Sequence, residues 1–194
     1  MKKITAMIGA VALSGLAGAA QAQGWYAGGY GAMSYTHDGY ANGTDLMTYD
    51  IGYGLGGFAG YAMANGFRVE GELAYRSNDI ESIAGTAVGM NMSNVALMAN
   101  VLYDFNMQSS VKPHVGGGLG IATGTVDNAG VEYDSTVVAG QFILGVDYAM
   151  APDLALVADY RLFFTEDMGF GAGVGLGGVE YTNSAISVGL RKKF

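Results

Sequence analysis

The stretch Phe67-Arg68-Val69-Glu70-Gly71-Glu72-Leu73-Ala74-Tyr75-Arg76 alternates between two kinds of residue. Its odd positions are apolar or glycine, and its even positions are mostly charged. Successive side chains of a β-strand point to opposite faces, so a period of two predicts a strand with one apolar and one polar face. The same period recurs at 95–105 and 154–164, where polar residues again interrupt one face only.

Extended along the chain, this pattern predicts eight strands. The predicted strands are 24–35, 49–63, 67–76, 93–105, 113–123, 136–148, 154–165 and 183–194. Most of them are close to the roughly 9–11 residues that a tilted strand needs to cross a bilayer. Beyond the first 20 residues, no segment offers the roughly 20 consecutive apolar residues of a membrane-spanning helix.

The connections between the predicted strands alternate in length. The long connections are 36–48, 77–92, 124–135 and 166–182, and the short ones are 64–66, 106–112 and 149–153. Long outer loops and tight periplasmic turns are typical of outer-membrane barrels. We therefore predict an all-β fold, an eight-stranded antiparallel up-and-down transmembrane β-barrel. The alternative, a soluble β-sandwich, explains the period of two but not the pattern of connection lengths.

The short turns also predict the register of three hairpins. Folding about residues 65, 109 and 151 sets outward residues opposite outward residues, as a sheet requires. The predicted pairs are Ala62 with Arg68, Asp104 with His114, and Asp147 with Ala155.

The N-terminus has the three parts of a secretory signal peptide. Lys2 and Lys3 precede an uncharged, mostly apolar stretch at 4–20, and Ala20-Gln21-Ala22 forms a small-residue cleavage site. We expect residues 1–22 to be removed, which leaves 23–194 as a single barrel with no periplasmic domain after it. The alternative is an N-terminal membrane anchor.

The composition excludes several classes of protein. The 194 residues include no cysteine, which excludes zinc ribbons, disulfide scaffolds and thiol enzymes. Nine lysines and arginines in a chain of net charge −8 argue against binding to nucleic acid.

Several motifs resemble one superfamily over essentially the whole mature chain. They are Gly24-Trp25-Tyr26, the run Lys112 to Gly120, Gly145-Val146-Asp147-Tyr148, Asp159-Tyr160-Arg161, and the closing Ser187 to Phe194. Together these motifs resemble the eight-stranded outer-membrane barrels, namely OmpA-like transmembrane domains, opacity-type proteins and bacterial surface antigens, often called a porin family.

The resemblance implies folding by the barrel assembly machinery, which reads a C-terminal signal in this family. Ser187, Gly189 and Phe194 fit that signal, whereas Lys192 stands where an aromatic residue is usual. The resemblance also implies an integral protein of the bacterial outer membrane, in contact with its lipid and lipopolysaccharide. With an even number of strands, we expect both termini in the periplasm.

Charged residues on inward positions predict a network in the lumen. The candidate residues are Arg68, Glu70, Glu72, Arg76, Asp159 and Arg161. Counting from the strand starts places Arg161 near the height of Glu72, and the two strands face each other in an eight-stranded ring. Because buried charge is costly unless it is paired, we predict that Arg161 and Arg76 bind Glu72, Glu70 or Asp159 and plug the lumen. The alternative is a wet lumen with individually hydrated charges.

The sequence contains only two histidines, which leaves little for catalysis. His37 lies in the first long connection, and we expect it to be solvated. His114 points inward beside Asp104, and we predict a structural pair at the periplasmic end of the lumen. We expect no enzyme activity, no cofactor and no metal site; a lipid-modifying enzyme is a remote alternative.

The four long connections carry ten acidic residues and no lysine or arginine. We expect a non-enzymatic structural or surface-antigen barrel that presents four acidic extracellular loops and has a narrow lumen. The alternatives are a channel for ions or small solutes and an adhesin with an unidentified host or matrix partner.

Overall fold

The computed structural model describes residues 23–36, 39–41, 44–49, 51–83, 86–105, 107, 109–128, 131–166 and 181–194. Its strands are β1 (Gly24–Thr36), β2 (Gly39–Ala41), β3 (Thr44–Tyr49), β4 (Ile51–Ala62), β5 (Phe67–Ile83), β6 (Thr86–Asp104), β7 (Val111–Asn128), β8 (Val131–Ala149), β9 (Leu154–Thr165) and β10 (Thr182–Lys193). The predicted signal peptide and His37 lie outside the described residues.

Eight of these strands close into a ring. β1 pairs with β4, the strands from β4 to β10 pair in chain order, and β10 returns to pair with β1. All of these pairings are antiparallel, which confirms the predicted up-and-down barrel. The described residues include no helix with the length and hydropathy needed to span a membrane.

Three of the predicted long connections contain strands. β5 and β6 continue their pairing to Ile83 and Thr86, and β7 and β8 continue to Asn128 and Val131. β2 and β3 occupy parts of the first connection, and β3 pairs with the far end of β5. The predicted ends at residues 76 and 123 are therefore wrong, because polar strand residues outside the apolar band still complete the ladder of backbone hydrogen bonds.

The apolar faces of the strands point away from the lumen. Leu73 is 56% exposed on the outer surface, whereas its neighbour Glu72 is 2% exposed on the inner one. Apolar residues at the outward positions of the strands are all exposed or half-buried: Val69, Leu73, Leu97, Val101, Leu119, Phe142, Leu144, Leu156, Leu162, Val188 and Leu190. A protein with its leucines outside and its carboxylates inside requires an apolar surrounding.

Aromatic side chains cluster near both ends of this apolar band. We call the end with the three short turns the turn end and the opposite end the loop end. At the turn end, Trp25 packs against Tyr61 with ring centroids 5.3 Å apart, and Phe67 packs against Tyr103 at 5.0 Å. At the loop end the ring pairs are Tyr53 with Tyr75 and Phe142 with Phe164. Such belts are typical of the two membrane–water interfaces.

Two of the three predicted hairpin registers match the structure. Ala62 pairs with Arg68 around a turn in which Gly66 has a φ of 88°, and Asp104 pairs with His114. The third prediction is wrong by two residues, since Asp147 pairs with Val157 and not with Ala155. A shift of two residues keeps every side chain on its predicted face, so the alternation alone did not reveal it.

Candidate functional site: a charged network in the lumen

The lumen contains an ion pair between opposite strands. Arg161 of β9 lies with Nη1 2.7 Å from Oε2 of Glu72, which belongs to β5 on the other side of the ring. Its Nη2 lies 2.9 Å from Oδ2 of Asp159, the preceding inward residue of β9. One guanidinium therefore joins two carboxylates in the middle of the barrel.

Neutral side chains complete the hydrogen bonding of Glu72. Tyr30 donates its hydroxyl proton to Oε1 at 2.7 Å, and Asn100 donates to Oε2 at 3.0 Å. Gln141 donates to both Glu72 and Asn100. Arg161 also lies over the Tyr30 ring, 4.2 Å from its centroid. These contacts offset the desolvation that would otherwise make a buried carboxylate costly.

A second group of charges fills the turn end of the lumen. Arg68 Nε lies 2.9 Å from Oδ1 of Asp104, and Arg191 Nη2 lies 2.7 Å from Oδ2 of Asp147. The same Asp147 oxygen lies 4.0 Å from Nη2 of Arg68. Tyr26 lies near both arginines, whose guanidinium carbons are 5.6 and 5.3 Å from the centroid of its ring.

His114 connects the two groups. Its Nε2 lies 3.0 Å from Oδ1 of Asp159, and its Nδ1 lies 3.8 Å from Oδ2 of Asp147. His114 therefore lies between the charges at the turn end and the ion pair in the middle of the barrel, hydrogen-bonded to Asp159 and close to Asp147. His114 is 1% exposed.

Two of our predicted contacts differ from the structure. Arg76 does not pair with a carboxylate among the described residues; its guanidinium lies 4.0 Å from the centroid of the Phe163 ring and 3.4 Å from Asn94 Oδ1. Asp104 and His114 are opposite in register, but the hydrogen bond of His114 goes to Asp159. Of the three carboxylates predicted as partners of Arg161, it contacts Glu72 and Asp159, while Glu70 is half-buried at the inward position next to Arg68.

The predicted assembly signal occupies structurally constrained positions. Ser187 is 1% exposed and lines the lumen, and a side chain at Gly189 would run into Tyr30. The backbone nitrogen of Phe194 donates to the carbonyl of Trp25 at 3.0 Å. These three residues thus have packing roles in the seam between β1 and β10, in addition to the predicted role in assembly.

Four residues of the network were not predicted from the sequence: Asp147, Arg191, Asn100 and Gln141. Asp147 and Arg191 stand on the inward face of the predicted alternation, so the signal for them was present. Tyr30 was also missed, because a tyrosine on a glycine-rich strand gives no indication of which carboxylate its hydroxyl reaches.

A closed antiparallel barrel with an apolar exterior, aromatic belts and a polar lumen is an integral membrane β-barrel. The chain belongs to the family described as outer membrane protein beta-barrel domain, which matches residues 4–194. The protein is therefore an outer-membrane barrel of the bacterial envelope.

Individual relatives agree with this family. Outer membrane protein A of Escherichia coli O157:H7 is 30% identical over 205 residues, which cover 100% of this chain and 55% of that protein. This chain thus spans about half the length of the curated relatives it matches.

Solved structures show the same fold. The crystal structure of Neisserial surface protein A has a TM-score of 0.67 and 23% identity, covering 90% of this chain and 100% of that one. Ail of Yersinia pestis, solved with the heparin analogue sucrose octasulfate, has a TM-score of 0.51 and 15% identity, covering 87% and 97%.

Proposed function

We propose that the protein is a non-enzymatic structural barrel of the outer membrane whose lumen is closed by its charged network. The observation that carries this proposal is the contact of Arg161 with Glu72 and Asp159 across the ring. An eight-stranded barrel has an interior that side chains can fill. Tyr30, Asn100 and Gln141 bind Glu72 beside this ion pair, which supports a closed layer of side chains in the middle of the lumen.

The role of this closed lumen is to hold the barrel together without leaking. Its residues come from five different strands, and the contacts of Glu72 with Arg161, Tyr30 and Gln141 join strands that are not neighbours in the ring. A rigid barrel that does not leak would in this way preserve the integrity of the envelope in which it is embedded. A channel is the alternative, and the described lumen offers no observation in its favour.

Planar-bilayer recording of the wild type and Arg161→Ala tests the proposal. We expect no conductance from the wild type. Removal of Arg161 leaves Glu72 and Asp159 without the cation that they share, so the variant is expected to conduct small ions and to lose about 3–5 kcal/mol of unfolding free energy in urea. Lys192→Ala is the control, because this exposed lysine lies outside the lumen. Wild-type conductance, or an Arg161→Ala variant that matches the wild type in both measurements, would show the proposal to be wrong.

The loop end supports a second candidate function, contact with a cationic partner outside the cell. Ten acidic residues and no lysine or arginine occupy 36–48, 77–92, 124–135 and 166–182. Among them, Asp134 is exposed and accepts a hydrogen bond from Thr125 at 2.7 Å. The charge of these segments disfavours sulfated polyanions, the ligand class in the Ail structure.

Adhesion assays test this second candidate. Cells that produce the protein are compared with cells whose variant carries Asn and Gln at the ten acidic positions, on surfaces coated with polylysine or heparin. We expect adhesion to polylysine alone, and only by the unmodified protein. Equal adhesion of the two strains would exclude an acidic binding surface.

We also propose that the loop end faces outward and that both termini lie in the periplasm, after removal of residues 1–22. Lipid and lipopolysaccharide would surround the apolar band, and the barrel assembly machinery would insert it. The absence of cysteine allows a direct test with single-cysteine variants. A membrane-impermeant maleimide applied to intact cells should label Asp134→Cys but not Asn65→Cys, and the reverse result would invert the orientation.

A further inference from the structure

We propose that Asp104, His114 and Asp147 form a binding site for one divalent transition-metal ion at the turn end of the lumen. One oxygen of each aspartate and one ring nitrogen of His114 lie within 4.8 Å of one another. The three residues come from the adjacent strands β6, β7 and β8. Two carboxylates and one imidazole suit zinc, nickel or copper, whereas magnesium and calcium prefer oxygen ligands alone.

The orientation of His114 supports a ligand role. Asp159 Oδ1 lies 3.0 Å from Nε2, and because an ionised carboxylate only accepts, the Nε2 atom must carry the proton. The Nδ1 atom then points toward Oδ2 of Asp147, and a metal ion bound to Nδ1 would take the place of a proton there. A carboxylate that holds the far nitrogen of an imidazole is the usual outer partner of a metal-binding histidine.

The second nitrogen of His114 lacks a partner in the described protein. His114 is 1% exposed, and its Nδ1 has no hydrogen-bond partner among the described residues. The Asp147 oxygen 3.8 Å away is itself an acceptor. A metal ion placed between Nδ1 and this oxygen would bind both atoms.

Two arginines share these carboxylates but do not saturate them. Arg191 contacts Oδ2 of Asp147, while Oδ1 of the same residue has no hydrogen-bond partner among the described residues. Arg68 contacts Asp104, and Glu70 at the next inward position of β5 offers Arg68 another carboxylate. A metal ion would therefore compete with Arg68, Arg191 and the nearby Lys193 for these carboxylates.

The site has a route for entry from the turn end. The side chain of Asp104 is 24% exposed, whereas that of Asp147 is 3% exposed. Asp104 thus lies at the mouth, and the other two ligands lie deeper. An ion that binds here would join three neighbouring strands near their turns.

Calorimetric titration of the untagged barrel with zinc tests the site. We expect one zinc ion per barrel in the wild type and in the matched control His37→Gln, which alters the only other histidine. His114→Gln and Asp147→Asn should abolish saturable binding, and Asp159→Asn should weaken it about 10- to 100-fold. Absence of stoichiometric zinc binding in the wild type, or binding unchanged in His114→Gln, would overturn the proposal.

Electron paramagnetic resonance with copper gives a test that does not depend on the folding of a His114 variant. We expect the copper spectrum of His37→Gln to show coupling to one imidazole nitrogen, which only His114 can then supply. A spectrum with oxygen ligands alone would overturn the proposal. Heat-modifiable migration on a denaturing gel checks that each barrel is folded.

Discussion

Gly145 determines whether His114 can reach Asp159. A Cβ atom at this position would lie 2.7 Å from Nε2 of His114 and closer still to Oδ1 of Asp159. We predict that Gly145→Ala separates the two side chains and lowers the free energy of unfolding by about 1–3 kcal/mol, measured in urea. Gly71→Ala is the matched control, because a Cβ there meets nothing within 4 Å. Equal stability of the two variants would contradict this prediction.

The cost of a charge on the outer surface should depend on depth in the membrane. Leu97 pairs with Leu73 and Ile121 in the apolar band, whereas Leu156 pairs with Tyr148 at the turn end. We predict that Leu97→Arg costs about 2–4 kcal/mol of unfolding free energy in lipid, and Leu156→Arg about 0–1 kcal/mol. Urea unfolding in vesicles measures both. A larger cost for Leu156→Arg than for Leu97→Arg would place the bilayer at a different height on the barrel.

The sequence predicts which face of a strand a residue occupies more readily than it predicts which other side chains that residue contacts. Alternation placed Glu72 and Arg161 inward and at similar heights, and the structure has them 2.7 Å apart. Alternation also placed Arg76 inward, but it could not show that the guanidinium of Arg76 would lie over the Phe163 ring and not beside a carboxylate. Which inward groups meet depends on side-chain length and on the stagger of strands from different parts of the chain.

Among the elements, the paired strands β5 and β6 are longer than the apolar band requires. Asp79 pairs with Asn91, and the ladder continues beyond them to Ile83 and Thr86. We predict that replacing residues 80–90 with Asn-Gly, a favoured two-residue hairpin turn, leaves the barrel folded. The urea midpoint should match that of the wild type, since the removed part lies beyond the lumen network. A variant that fails to fold would show that this hairpin stabilises the ring.

The strand ends and the register at the third turn could not be predicted from the sequence. An apolar band ends where the lipid ends, but a ladder of backbone hydrogen bonds does not, so polar residues such as Asp79 gave no sign of a strand. At the third turn, Met150 and Ala151 both donate backbone hydrogen bonds to Leu154. That local geometry fixes the register two residues away from our prediction, and no alternation pattern encodes it.

For the whole molecule, closure of the ring predicts resistance to unfolding in detergent. All eight barrel strands have neighbours on both sides, so none can separate without breaking two ladders. We predict that the unheated protein migrates faster on a denaturing gel than the heated protein, because the closed barrel stays compact. A single band at all temperatures would contradict the closed ring.

The seam between β1 and β10 would allow the strands to be connected in a different order along the chain. Trp25 and Phe194 share a backbone hydrogen bond, so the two ends of the ring meet at the turn end. A circular permutant, joined there by a short linker and opened at the Pro152 turn, would retain every strand neighbour of the original. Phe194 would then become internal while its packing stayed the same. Comparison of the permutant with the original would separate two effects of β10 on folding: its contacts within the ring and its position at the end of the chain.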